Sequence, residues 1–243
     1  MKILSIGNSF SQDAHRWLNE IAKQNGCDIE TVNLYIGGCS LEQHYNNLLS
    51  GACEYDLERN GKSGKLKISV TEALKSDKWD FVTLQQASYA SGKPQTYMPY
   101  ISELAKAAKK YCPQAKLLFH QTWSYETDSD HNGFVNYNLD QLEMYRRICD
   151  ASEMAAVLIG ADLIPVGKFI QYIRDNISEF DYKNGGLSLC RDGYHLSLNY
   201  GRLAASAVWF KVLTGKTAKV FEYDGFDNCI VKKILGAVDT CDI

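Results

Sequence analysis

The chain has 243 residues, 45% of them hydrophobic, and a formal net charge of −3. This length and composition can fill one sizeable α/β core and exclude an intrinsically disordered chain. With no basic stripe and no apolar stretch near the length of a membrane span, neither nucleic acid nor a membrane is an expected partner.

In chain order, residues 2–6 read as a short buried strand. A helix is expected from Asp13, with Ala14, Trp17, Leu18, Ile21 and Ala22 on one stripe and Gly26 at its C-terminal cap. Residues 29–35 form a second strand, stopped by Gly37-Gly38, so the opening is a β-α-β unit with a parallel pair. Residues 53–70 break this rhythm. Two strand-like runs flank Asn60-Gly61-Lys62-Ser63-Gly64, which reads as a polar, peripheral β-hairpin insertion.

The alternation then resumes. Residues 81–84 and 117–120 are strands, separated by a helix over 97–111 with Ile101, Leu104, Ala108 and Tyr111 at helical spacing. A polar loop, 124–135, leads to a helix whose expected inner face is Leu142, Tyr145 and Cys149. A fifth strand covers 163–166. The last helix spans about 198–213, with Ser197 as candidate N-cap and Gly215 after its end. The pattern predicts one domain over 1–243: a three-layer α/β/α sandwich around a flavodoxin-like, doubly wound, parallel five-stranded sheet.

Eight scattered cysteines without a CxxC pair offer no zinc-ribbon spacing. They read as reduced, mostly buried thiols, although an even count allows disulfides. No charged and then apolar leader precedes the first strand, so a cytoplasmic location is expected, with a trimmed secretion signal as the alternative.

In doubly wound sheets ligands bind beyond the carboxyl ends of the strands. Those ends carry Gly7-Asn8-Ser9, Gly37-Gly38-Cys39-Ser40, Gln85-Gln86-Ala87-Ser88 and His120-Gln121-Thr122-Trp123. Arg191-Asp192-Gly193-Tyr194-His195 precedes the last helix. Ser9 can serve as a nucleophile or simply close a turn. Asp192-x-x-His195 can supply a base and the carboxylate that orients it, or form a surface turn; together with a strand-end serine the catalytic reading prevails.

Gly38 can bring a backbone N–H against an oxyanion because no Cβ intervenes. Gln86 offers a side-chain donor. Gln85 points to the opposite face if the strand continues, and Ser88 is a further candidate. His120 and Trp123 are candidate substrate contacts, His120 being equally readable as a packed core histidine. His15 and His44 read as structural or exposed, with His44 flanking the cleft. Tyr89, Tyr97, Trp123 and Tyr125 follow strands, and such aromatics either stack on sugar rings or close a core. Asp128-Ser129-Asp130-His131-Asn132-Gly133 starts like a calcium loop, but Leu139 stands where that loop requires Glu, so no metal is expected.

Taken together, Gly7-Asn8-Ser9, Gly38 and Asp192-Gly193-Tyr194-His195 resemble, in order and spacing, three motif blocks of the SGNH (GDSL-like) hydrolase superfamily. The stretches GNSFSQDA, LYIGGCSLEQH, WDFVTLQQAS and HQTWSY look like an uncharacterised bacterial branch of it, a domain of unknown function. The resemblance implies a serine esterase without cofactor. Ser9 would be the nucleophile, His195 the general base and acid, and Asp192 its orienting carboxylate. Ser9, Gly38 and Gln86 would bind the oxyanion. The substrate implied is a small-molecule ester, and the loop aromatics tilt its alcohol towards a glycan, with acetyl as the expected acyl group. The chain departs from the pattern after strand three, where the superfamily has GxND and this sequence has Gln85-Gln86-Ala87-Ser88. Losing one oxyanion donor costs about 10²–10³ in rate. The alternative is therefore a catalytically weak SGNH-like glycan-binding or accessory protein. A flavodoxin-like phosphate binder is disfavoured by the lack of a glycine-rich loop.

Overall fold

Apolar Ile3, Leu4 and Ile6 build β1 (Lys2–Gly7), the fourth strand of a seven-stranded sheet. Its companions are β2 (Glu30–Tyr35), β3 (Tyr55–Arg59), β4 (Lys67–Ile68), β5 (Phe81–Leu84), β6 (Lys116–His120) and β7 (Asp162–Ile164). The structure, a computed structural model, describes residues 1–241 and 243. The strand order is β4-β3-β2-β1-β5-β6-β7. Neighbours from β2 to β7 pair in parallel, and β3 and β4 pair antiparallel.

The sheet is thus mixed and seven-stranded, not five-stranded and wholly parallel. The expected hairpin is not a peripheral appendage but covers the open edge of β2, placing Leu57 opposite Leu34. Its Glu58 is fully buried and accepts hydrogen bonds from Asn33 Nδ2, at 2.8 Å, and from Gln12. Burial raises the Glu58 pKa above the ordinary carboxylate value, against the lowering effect of those donors. A polar loop with hidden strand contacts looks peripheral in sequence because its buried partners lie elsewhere in the chain.

Nine α-helices occur among the described residues: α1 (Ser9–His15), α2 (Leu18–Gln24), α3 (Leu41–Ser50), α4 (Val70–Lys75), α5 (Tyr100–Tyr111), α6 (Gln141–Ile159), α7 (Val166–Asn176), α8 (Tyr200–Thr214) and α9 (Asn228–Thr240). The first helix begins at Ser9 rather than Asp13, because Asn8 caps it by accepting the Phe10 N–H at 3.0 Å. It then breaks. The Trp17 N–H freed at the break donates to Ser206 Oγ, whose own hydroxyl donates to Ala14 O. That stitch fixes α1 against α8.

Four further boundaries differ from expectation. α6 buries Met144, Ile148, Ala151 and Ala155, leaving Leu142 exposed, so the inner face lies one step round from the predicted stripe. The fifth strand ends at Ile164, and Val166 already belongs to α7, which the sequence reading had not separated. α9 was likewise unassigned. Ser197 does not cap α8, which starts at Tyr200 behind Asn199; the Ser197 hydroxyl instead accepts the Gly201 N–H.

Alternation along β1 divides the core. Leu4 and Ile6 face a layer containing Leu41, Val70, Leu104 and Ala155. Ile3 faces a layer built from α1, α2, α7, α8 and α9. α8 is apolar on nearly every side, which is why it runs buried, carrying Leu203, Val208, Trp209 and Phe210. None of the eight cysteines is in a disulfide, and four of them are buried. No described helix is long and apolar enough to cross a membrane.

Candidate active site

A cleft of about 290 Å³ opens beyond the carboxyl ends of β1, β2 and β5, lined by Asn8, Ser9, Phe10, Tyr35, Gly37, Gly38, Ser88, Tyr89, His131, Tyr194 and His195. Such a switch point is where open α/β sheets bind ligands. Gly7 delivers the chain into it. A Cβ at Gly7 would lie 2.1 Å from Ser11 Oγ and 2.9 Å from Asn33 Oδ1, so only glycine lets the strand end turn this closely into α1.

Ser9 and His195 meet across 186 residues of sequence, with Ser9 Oγ 2.9 Å from His195 Nε2. On the far side of the ring, His195 Nδ1 lies 2.7 Å from Asp192 Oδ2. Asp192 is an acceptor, so Nδ1 carries the proton and Nε2 presents its lone pair to the serine hydroxyl. The other Asp192 oxygen accepts the His195 N–H at 2.7 Å and the Tyr194 N–H at 3.2 Å. Desolvation opposes ionisation of Asp192, yet the His195 ring, the His195 N–H and the Tyr194 N–H outweigh it, so the carboxyl sits below its ordinary pKa.

Asp13, on the same short helix as Ser9, ties that helix to the histidine segment. Fully buried, it accepts from Arg202 Nε at 2.8 Å, from Arg191 NH1 at 3.1 Å and from the Leu196 N–H at 2.9 Å. Both arginines carry charge onto it, and Leu196 directly follows His195. From the opposite side, the Glu126 N–H donates to Gly193 O at 2.8 Å, while the Glu126 side chain pairs with Arg174 at 3.0 Å.

Gly38 lines the cleft with φ +65°, a left-handed conformation suited to glycine, and a Cβ there would meet nothing within 4 Å. The Ser9 and Gly38 N–H groups donate to no acceptor among the described residues. Both residues line the cleft.

The side chain of Gln86 is not in this cleft, which corrects the expected oxyanion donor. Its Oε1 accepts the Leu41 N–H at 3.0 Å and its Nε2 donates to Thr96 O and Oγ1, both at 3.1 Å. It clamps the start of α3 to the loop after β5. Gln85, His120 and Trp123 are not cleft contacts either. Gln85 Nε2 donates to Asn8 Oδ1 at 2.6 Å and its Oε1 accepts from Ser11 and from His120 Nδ1, holding the Asn8 cap from beneath. Trp123 is buried, donating to Tyr194 O at 2.7 Å and stacking on Phe10 with centroids 4.1 Å apart. It braces the wall rather than forming it. Ser88 does line the cleft, its Oγ 2.8 Å from Tyr125 OH.

Of the four loop aromatics, Tyr89 alone reaches the cleft; Tyr97, Trp123 and Tyr125 close the core. The sequence reading missed Tyr35, His131 and Tyr194. Tyr35 is the last residue of β2, and Tyr194 lies inside the Asp192–His195 block, so both were signalled by position. His131 sits in the polar loop 124–135 and carried no such signal. Its Nδ1 accepts the Gly133 N–H at 2.9 Å, and burial together with the His195 charge holds its pKa below the ordinary value. Among the described residues no group of three or more His, Cys, Asp or Glu side chains is placed to hold a metal ion.

Outside the cleft lining, His15, His44 and His120 are fully buried, so His44 is a core residue and does not flank the cleft. Desolvation lowers each pKa from 6.5 to about 3. The unfolded chain therefore binds protons at these imidazoles below about pH 6.5 while the folded chain does not, and stability falls on acidification. Each group contributes about 1.4 kcal/mol per pH unit. Urea unfolding is expected to show a clearly lower midpoint at pH 5.5 than at pH 7, and an unchanged midpoint would refute burial of neutral imidazoles.

Comparison with known proteins supports the frame. A crystal structure of a DUF4886 family protein from Bacteroides uniformis ATCC 8492 is 35% identical and superposes with a TM-score of 0.91, covering 99% of this chain and 93% of that chain. Two more distant structures share the fold. The lipase/acylhydrolase from Enterococcus faecalis is 12% identical with a TM-score of 0.55, over 88% of this chain and 95% of that one. An acetylxylan esterase from Geobacillus stearothermophilus is 12% identical with a TM-score of 0.50, over 87% and 91%. No curated protein matches the sequence. The family model for domain of unknown function DUF4886 matches residues 2–229, and the chain belongs to that family, whose member here has the fold of SGNH hydrolases.

Proposed function

We propose that this protein is a serine esterase that removes a short acyl group, most simply acetyl, from a polar ester such as an acylated carbohydrate. The reading is carried by one observation: Ser9 Oγ, the His195 ring and Asp192 form a continuous hydrogen-bonded line at 2.9 and 2.7 Å on the rim of a cleft.

Ser9 Oγ attacks the ester carbonyl while its proton passes to His195 Nε2, and Asp192 stabilises the imidazolium so formed. The carbonyl oxygen, now negative, meets the open N–H groups of Ser9 and Gly38. Collapse expels the alcohol, which takes the proton from His195, and leaves an acyl group on Ser9. Water, deprotonated by the same imidazole, attacks that ester and releases the acid. The phenols of Tyr35, Tyr89 and Tyr194 on the cleft wall suit an alcohol rich in hydroxyl groups.

The test is hydrolysis of p-nitrophenyl acetate by wild type and by Ser9→Ala. Loss of Ser9-dependent turnover supports the esterase. Equal rates would overturn it in favour of a binding module on the same fold.

A further inference from the structure

With Gln86 clamped against Thr96, its side chain offers the cleft no donor for an oxyanion. Ser88 follows β5, the parallel neighbour of β1, and shares the cleft with Ser9 and Gly38. Its Oγ is 2.8 Å from Tyr125 OH. Tyr125 is fully buried, and among the described residues Ser88 Oγ is the partner of its hydroxyl. A buried hydroxyl hydrogen without an acceptor is strongly disfavoured, and a phenol is a better donor than an alkanol, so Tyr125 donates and Ser88 accepts. The Ser88 hydrogen then has no protein acceptor among the described residues and is free to turn into the cleft.

We propose that Ser88 is the third oxyanion donor and that Tyr125 is the positioning residue that aims its hydroxyl. The assignment rests on the esterase reading above. As Ser9 attacks, charge builds on the carbonyl oxygen and Ser88 O–H donates to it; the hydrogen stays on Ser88 and no bond to it breaks. The chain Tyr125 OH to Ser88 OH to oxyanion is polarised in one direction, so each link strengthens the next.

Steady-state hydrolysis of p-nitrophenyl acetate by the full chain tests this in wild type, Ser88→Ala, Tyr125→Phe and the double variant, with melting curves as folding controls. Ser88→Ala is expected to lower kcat by about 10²-fold while KM shifts little, because the contact forms only in the transition state. Tyr125→Phe, which keeps the packed ring, is expected to lower kcat about tenfold alone and not at all in the Ser88→Ala background. Retention of kcat within threefold by folded Ser88→Ala, or an equal effect of Tyr125→Phe in both backgrounds, would overturn the proposal while leaving the Ser9 mechanism standing. Should Ser88→Ala fail to fold, a Tyr125→Phe variant with wild-type kcat would overturn it alone. Turnover that survives Ser9→Ala would overturn both readings.

Discussion

Replacing His195 with alanine is expected to lower kcat for ester hydrolysis by about 10⁴-fold or more, and Ser9→Ala by a similar factor. On the proposed mechanism the two act as one unit, Ser9 Oγ giving its proton to the ring 2.9 Å away, so the double variant is expected to be no slower than either single one. Asp192→Asn keeps the shape but loses the acceptor that holds the proton on Nδ1 at 2.7 Å, and a loss of about 10⁴-fold is expected for the wrong tautomer.

The pH dependence follows from the same geometry. Asp192 is held below the ordinary carboxylate pKa, so it stays ionised as pH falls through the ordinary carboxylate range. A general base acts only while its lone pair is free, so activity is expected to rise with pH. The pH profile of kcat/KM checks this. A rate flat from pH 4 to 8 would contradict His195 as base.

Asp13→Ala is expected to be the most damaging substitution outside the cleft. It leaves Arg202 and the Leu196 N–H without the carboxylate they share and half strands Arg191, whose side chain is 30% exposed against 13% for Arg202. Removing one partner of a buried charge cluster costs about 3–5 kcal/mol. Chemical denaturation measures the loss directly. Asp13→Asn retains an acceptor and the volume, so a smaller loss is expected. Both variants also slacken the tie between α1, which carries Ser9, and the segment that carries His195, so residual activity is expected to fall in the fraction that remains folded. An Asp13→Ala protein as stable as wild type would refute the structural role of this cluster.

These expectations show which kinds of information a single sequence carries. Ser9, Gly38, Asp192 and His195 were legible because each stands in a short block beside a strand end or helix start, and block order survives without coordinates. The parallel strands were legible from their apolar runs. Gln86 was misassigned because alternation along a strand separates two faces but does not say that one face backs onto the start of α3. The hairpin looked peripheral because Glu58 finds Asn33 and Gln12 only in three dimensions. Asp13 left a faint trace: a lone carboxylate beside the apolar stripe of a first helix needs a partner, but nothing in the sequence names Arg191 and Arg202. α7 carries its own signal in Val166, Phe169, Ile170 and Ile173, at spacings of three and four, hidden by the strand immediately before it.

The most direct measurement is reaction with a fluorophosphonate followed by peptide mass spectrometry and an assay of the modified protein. The account predicts one phosphonyl group, on the peptide carrying Ser9, with ester hydrolysis lost in proportion to its incorporation. Hydrolysis that persists after full modification of Ser9, or that is blocked by an adduct on a different residue, would contradict it.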